Sequence, residues 1–288
     1  MKVVHTIADL RAALAPFSSP SFVPTMGNLH EGHLHLMSTA RGLGDVRVAS
    51  IFVNRLQFAP HEDFDTYPRT LEADCAKLEA EGCDVVFAPS EKELYPQKQG
   101  FLVQPPESLA NILEGHFRPG FFTGVCSVVS KLFNCVFAEA KGERFAVFGK
   151  KDYQQQMVLR QMVHQLNMGI TIVGGETQRT VDGLALSSRN SYLSDDERKE
   201  ALHLSLTLRD LARDALSAGG ALPGTLAGLE ERAMAALTAR GWAPDYLTVR
   251  RRSDLQLPDA NDAIKPASLV VLGAARLGTT RLIDNMEI

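Results

Sequence analysis

Residues 46–53 read VRVASIFV, and this apolar run decides the fold class. A strand with one wet face alternates apolar and polar side chains, whereas a continuously apolar strand belongs to a parallel sheet covered by helices on both faces. Further short β-rich runs lie on either side of it, at residues 22–25, 83–88, 145–149 and 170–174. Between them, stretches beginning near Gly32, Arg69, Gly124 and Asp152 carry apolar residues at i, i+3, i+4 spacing, the pattern of helices with one buried face. Strand and helix alternate, and the expectation is a doubly wound parallel α/β domain over residues 1–175.

After Gly175 the grammar changes. The polar segment RTVDGLALSSRNSYLS leads into Asp195, Asp196 and Glu197, with Ser194 as a good N-cap for one long helix whose first turn is acidic. The stretch LSAGGALPG, residues 216–224, then breaks that helix, and another is expected over residues 225–240. Short strands near residues 246–250, 268–273 and 281–284 complete a smaller α+β domain over residues 176–288.

The chain has 288 residues, enough at about 150 per domain for two domains with large cores and no disulfide staples. Its 30 Lys+Arg against 34 Asp+Glu leave a formal net charge of −4. That offers no broad attraction to phosphate backbones or anionic lipid and argues against a nucleic-acid coat, while a local basic site stays open. Cys75, Cys83, Cys126 and Cys135 form no CxxC pair and lack zinc-type His spacing, so they read as small buried thiols in a reducing compartment. The N-terminus lacks the basic start, apolar core and small-residue cleavage site of a signal peptide. No apolar run approaches the ~18 residues of a membrane span, and a cytoplasmic protein is expected.

The chemistry concentrates in PTMGNLHEGHLHLM, residues 24–37. This segment follows a short apolar strand and opens a helix, with Gly27 and Gly32 where the chain must turn tightly or a ligand must come close to the backbone. His30 and His33 would flank the helix's positive end, where imidazole donors and open amides attract a nucleotide triphosphate. Two other readings stay open: a metal site, although HEGH is not the i, i+4 pattern of HExxH, and a plain surface helix start, the class to which His35 is assigned.

Three further segments place polar groups where a sheet of this type binds ligands. Asn54 and Gln57 follow the apolar strand at its carboxyl end, and a neutral amide suits a substrate bearing hydroxyl and carboxylate groups. In FGKKDYQQQMVLRQMV, residues 148–163, a strand, a glycine and a basic pair precede a helix. Lys151 would neutralise phosphate, Asp152 would cap the helix or meet a ribose or a magnesium-bound water, and Gln155 would sit one turn in. DGLALSSRN, residues 182–190, offers adjacent hydroxyls and the planar fork of Arg189 to phosphate oxygens. Taken singly, each segment also reads as an ordinary loop.

Read in order, PTMGNLHEGH, FVN with QF and then YPRT, RPG followed by KLFN, FG with KDYQQ, DGLALSSRN and the closing RLIDN resemble the pantoate–β-alanine ligase (pantothenate synthetase) family. HxGH alone would mark only the wider nucleotidyltransferase and class I aminoacyl-tRNA synthetase superfamily. The resemblance implies a Rossmann-like N-terminal domain that binds ATP and pantoate, a smaller C-terminal lid domain and a homodimer. It also implies ATP-dependent joining of (R)-pantoate to β-alanine through a pantoyl adenylate, with release of pyrophosphate and AMP. Mg2+ would be bound mainly through the ATP phosphates, with no metal ligands assigned to the chain. Met26, Gly27, Asn28, Leu29, His30, Glu31, Gly32 and His33 would form the first ATP loop, His33 acting as catalytic proton donor. Gly149, Lys150, Lys151 and Asp152 would line the ATP site, Gln178 would lie near the adenine, and Leu186, Ser187, Ser188 and Arg189 would close over it. Gln57 would bind pantoate and help place β-alanine, and Gln155 would hold pantoate from the other side.

Three positions depart from the family's common pattern: Arg55 replaces proline, Phe121 replaces histidine and Lys150 replaces glutamate. Arg55 loosens a turn that proline would stiffen and brings a cation beside Gln57, while Lys150 adds positive charge near a polyphosphate. Two competing readings remain: a related adenylyltransferase with another acid or phosphate acceptor, and a nucleotide-binding protein without catalysis.

Overall fold

The computed structural model describes residues 1–60, 62–217, 223–259 and 267–288. The chain falls into two units, one of Met1–Lys150 with Gln154–Thr177 and the other of Lys151–Tyr153 with Gln178–Ile288.

The first unit is built on six parallel strands: β1 (Lys2–Val4), β2 (Pro20–Thr25), β3 (Val46–Ile51), β4 (Val85–Phe87), β5 (Phe145–Gly149) and β6 (Thr171–Gly175). Their spatial order is β1-β4-β3-β2-β5-β6. Successive side chains of a strand point to opposite faces, and both faces here are covered. Val23, Ala49, Val86 and Val147 pack with Leu36 and Met37 of the helix Glu31–Thr39 and Leu78 of the helix Leu71–Ala80. On the opposite face Phe22 meets Phe133 and Phe137 of the helix Phe121–Phe137 edge-on, with ring centroids 6.3 and 6.1 Å apart. Burying one such side chain contributes roughly 1.5–3 kcal/mol, so the two-sided apolar pattern is the physical cause of the doubly wound layout.

The chain leaves β2 towards β3 and β4 on one side and later places β5 and β6 on the other. The order therefore reverses between the carboxyl ends of β2 and β5, the position at which open α/β sheets bind ligands. Two details differ from the sequence pattern. The edge strand β1 has only Val4 buried, so it carried no pattern to read. The apolar run expected to pair as far as Val53 leaves the ladder after Ile51, because hydrophobicity marks burial and not where pairing stops.

The second unit carries an antiparallel sheet of β7 (Ala243–Arg251), β8 (Leu269–Leu277) and β9 (Thr280–Glu287), in the order β7-β8-β9. Leu204, Leu208 and Leu211 of the helix Leu202–Ser217 and Leu229 and Leu237 of the helix Pro223–Ala239 share a core with Leu247, Val249 and Val271. The single helix expected after Ser194 is two, Asp195–Glu200 and Leu202–Ser217. Ser194 and Glu197 form a reciprocal capping box at the start of the first. Glu200, at the end of that piece, accepts two bonds from Arg240 at 2.7 and 2.8 Å and one from Trp242 at 3.0 Å, long-range anchors that local periodicity cannot reveal. Of the helix break expected over residues 216–224, residues 218–222 lie outside the described residues, and the flanking helices end at Ser217 and resume at Pro223.

Candidate active site

β2 ends at Thr25, whose hydroxyl donates to the Ser50 carbonyl at 2.7 Å and accepts the Gly27 amide at 3.3 Å. The backbone then reverses through Gly27 (φ +84°) and Asn28 (φ +51°). A Cβ at residue 27 would stand 3.1 Å from both Asp74 Oδ2 and Ile51 Cγ2, so glycine supplies the turn and the room. His30 caps the helix Glu31–Thr39: its Nδ1 accepts the Gly32 amide at 3.1 Å, while Nδ1 of His33 accepts the His30 amide at 3.3 Å. The two rings lie 4.2 Å apart between centroids. A ring nitrogen that accepts carries no proton, so in both neutral imidazoles the hydrogen sits on Nε2, a pair of N–H donors at the helix start.

The sequence suggested open amides here, and the structure corrects that for four of them. The Asn28 and Leu29 amides donate to Asp74 Oδ2 and Oδ1 at 2.9 and 2.8 Å, and those of His30 and Gly32 go to the two imidazoles. Asp74, fully buried on the helix Leu71–Ala80, also accepts from the Thr70 hydroxyl at 3.0 Å. One turn on, Lys77 Nζ donates to the Leu29 carbonyl at 2.6 Å. Neither residue was singled out from the sequence. The available signal was an acid four positions before the buried Leu78, on the helix's apolar stripe.

Gln57 closes a 3-10 turn, Arg55–Gln57, that follows β3. The buried Asn54 orients it: Asn54 Nδ2 donates to Gln57 Oε1 at 3.1 Å and to the Gly124 carbonyl at 3.2 Å, while Asn54 Oδ1 accepts the Tyr95 hydroxyl at 3.0 Å. The Gly124 carbonyl accepts only, so it fixes which end of the Asn54 amide faces Gln57, and Gln57 presents its Nε2 donor, 3.2 Å from Met26 Sδ. Burial raises the Tyr95 phenol's pKa, which keeps it a donor. Gly124 is required here, since a Cβ would come 2.2 Å from the Leu56 carbonyl oxygen. Arg55 turns away from the amides, its guanidinium stacking 3.8 Å over Phe64 and pairing with Glu91 at 3.6 Å. Phe121 supports the Arg118 guanidinium at 3.7 Å, and Arg118 in turn bonds the Gln57 carbonyl at 3.3 Å and pairs with Glu62.

At the end of β5, Gly149 is followed by Lys150, whose ammonium pairs with Glu176 at 2.5 Å, so part of the charge expected to meet phosphate is already matched. Of three consecutive glutamines, Gln154 bonds Leu109, Ile112 and Glu114 backbone groups and Gln156 bonds the Phe148 carbonyl. Gln155 is half-buried and has no hydrogen-bond partner among the described residues. The first unit thus carries the 26–33 loop, Gln57, Gly149, Lys150 and Gln155 along the carboxyl edge of its sheet.

The second unit holds the remaining residues. Lys151 and the exposed Asp152 lie in a 3-10 turn, Lys150–Asp152, and the Lys151 carbonyl accepts from Asn285 Nδ2 at 2.8 Å. Gln178 and Leu186 face each other across a tight hairpin, the Leu186 amide donating to the Gln178 carbonyl at 2.9 Å. Ser187 caps the 3-10 turn Ser188–Tyr192 by accepting the Arg189 amide at 3.3 Å. Arg179, at the hairpin's base, forks onto Asp284 at 2.7 and 2.8 Å. The closing RLIDN therefore has a structural role: Asp284 and Asn285 of β9 hold the hairpin and the Lys151 turn. Among the described residues no group of three or more His, Cys, Asp or Glu could hold a metal ion.

A family model described as pantoate-beta-alanine ligase matches residues 2–287. The chain belongs to that family. Among its relatives, the pantothenate synthetase of Paracidovorax citrulli (strain AAC00-1) is 62% identical over 287 residues, and that of Verminephrobacter eiseniae (strain EF01-2) is 63% identical over 287, each covering 100% of both chains. The crystal structure of the pantothenate synthetase of Thermus thermophilus is similar with a TM-score of 0.89 at 42% identity, covering 100% of this chain and 99% of that one. The pantoate-beta-alanine ligase of Francisella tularensis, solved with beta-gamma ATP and β-alanine, gives a TM-score of 0.77 at 31% identity, covering 100% and 97%. Arg55, Phe121 and Lys150 each have a partner here: Phe64, Arg118 and Glu176.

Proposed function

We infer that the protein condenses (R)-pantoate with β-alanine at the expense of ATP, forming pantothenate, AMP and pyrophosphate. The observation that carries this is the whole-chain family match, joined to the polar residues at the switch point of the sheet. A carboxylate oxygen is a poor leaving group, so the acid must be activated first. Pantoate's carboxylate attacks the α-phosphorus in line; a new O–P bond forms as the bond to the bridging oxygen breaks, and pyrophosphate leaves. The β-alanine amine then attacks the acyl carbon, loses a proton and displaces AMP. Positioning and stabilisation of phosphate charge account for the catalysis.

On this reading the Nε2–H groups of His30 and His33 meet the oxygens around the α-phosphate, with His33 as the catalytic donor. Met26, Gly27, Asn28, Leu29, Glu31 and Gly32 shape the wall beneath the nucleotide. Gln57, its donor end fixed by Asn54, binds pantoate and helps place β-alanine, and Gln155 holds pantoate from the other side. Residues 1–175 bind ATP and pantoate, and residues 176–288 serve as the lid. From the lid, Ser187, Ser188 and Arg189 bind phosphates and Leu186 and Gln178 line the nucleotide, with Gly149, Lys150, Lys151 and Asp152 beneath. When bound, magnesium neutralises phosphate oxygens. The phosphate partners Lys150, Lys151, Ser187, Ser188 and Arg189 carry no carboxylate, which fits an ion held by the nucleotide, and Asp152 would meet one of its waters.

No helix among the described residues is long and apolar enough to cross a membrane. A cytoplasmic homodimer completes the proposal, and sedimentation checks the dimer. The functional reading is tested by a coupled assay for AMP, with pantoate and β-alanine supplied singly and together. Sustained AMP release requiring both supports it; equal release from other acids favours a different adenylyltransferase.

A further inference from the structure

We propose that Asp74 and Lys77 form a positioning pair that holds the nucleotide loop in the shape its histidines need. This rests on the ATP-dependent reading above and assigns a second helix to the same site. Asp74 is a fully buried carboxylate with three donors on it: the Asn28 amide and Thr70 hydroxyl on Oδ2, the Leu29 amide on Oδ1. Lys77, three residues on and so on the same helix face, holds the carbonyl of Leu29. Both peptide groups flanking the left-handed Asn28 are thus gripped from the helix Leu71–Ala80.

The grip has a chemical consequence. With these amides on Asp74, and the His30 and Gly32 amides on the imidazoles, the loop is not an open nest of N–H groups for phosphate. Anion binding passes to the Nε2–H donors, whose directions depend on the loop turn. A buried acid beside an anion site is otherwise unfavourable, so its retention needs a gain elsewhere, and the gain is a fixed turn. Gln57 is oriented from elsewhere, by Asn54, Gly124 and Arg118, none of them on this helix, and its bond to the loop, Nε2 to Met26 Sδ, lies ahead of the gripped peptides.

Asp74→Asn replaces one oxygen by an NH2, which cannot accept. Whichever way the amide turns, a loop N–H loses its acceptor. Lys77→Met keeps the stem and removes only the ammonium, a milder second variant. The test measures KM for ATP and for pantoate, kcat, and ATP affinity by calorimetry on wild type and both variants. The expected result is a rise of about tenfold or more in KM and Kd for ATP for Asp74→Asn, the size of a lost charge-assisted bond, with pantoate KM within twofold. Lys77→Met should move the same constants in the same direction by less. A purely structural role would lower kcat in proportion to the folded fraction and leave the ATP constants unmoved; that result, or unchanged ATP affinity in both variants, overturns the proposal. A wild-type chain that releases no AMP from pantoate, β-alanine and ATP overturns the functional reading instead, and the calorimetric arm still decides the pair.

Discussion

His33 accepts the His30 amide at Nδ1, so its Nε2–H is aimed by the backbone and not by rotamer preference alone. Removing such a preorganised donor costs ~2.7–4 kcal/mol of transition-state stabilisation by analogy with an oxyanion hole. His33→Ala should therefore lower kcat by about 10²–10³-fold, and unchanged turnover would remove its catalytic role. Gln155 has two neighbours whose amides are bonded to backbone and no partner of its own among the described residues, which singles it out as the ligand group of the three glutamines. Gln155→Ala should raise pantoate KM with little effect on ATP KM; Gln154→Ala should instead lower thermal stability, since it strands the Leu109 and Ile112 carbonyls. At this scale the sequence disclosed side chains whose chemistry is overt: histidines beside glycines, amides at strand ends. It did not disclose the roles of Asp74, Tyr95 or Asp284, because the partners that define them lie 41 to 105 residues away and leave no local spacing.

Elements were legible where burial imposes a period. The runs that became β2 to β5 are buried along most of their length, and the helices Glu31–Thr39 and Leu71–Ala80 each bury one stripe. Junctions set by distant contacts were less legible, as at Ala201, where one expected helix is two. The helix Phe121–Phe137 approaches the turn carrying Gln57 through Gly124, and a Cβ 2.2 Å from the Leu56 oxygen must displace backbone. Gly124→Ala should cost about 1–3 kcal/mol of stability and raise pantoate KM more than ATP KM, checked by denaturation and steady-state kinetics. At the other junction the Arg240 bonds, helped by Trp242, hold Glu200 down to about 2 from an ordinary 4.5. A depressed carboxylate stabilises the fold above its unfolded value and loses that contribution as pH falls through the folded one. Glu200→Gln should lower Tm at pH 7, with the gap to wild type closing from about pH 4.5 towards 2.

Across the whole molecule, a net charge of −4 is compatible with polyanionic ligands because the cations and N–H donors are assigned to a few positions at the ends of strands and turns. The doubly wound sheet and the smaller α+β unit follow from the pattern of apolar runs, whereas the reaction follows only from the spaced motifs taken together. The cysteines are free, three of them buried, and burial pushes Cys83 and Cys126 up to about 12. Native protein should accordingly take up alkylating reagent at Cys75 alone, and all four thiols should react on unfolding, as peptide mapping would show. The central claim is activation of pantoate as an acyl adenylate. It is tested most directly by exchange of labelled pyrophosphate into ATP with β-alanine omitted. Exchange that appears only when pantoate is added is the expected result; exchange indifferent to pantoate, or none in its presence, would contradict it.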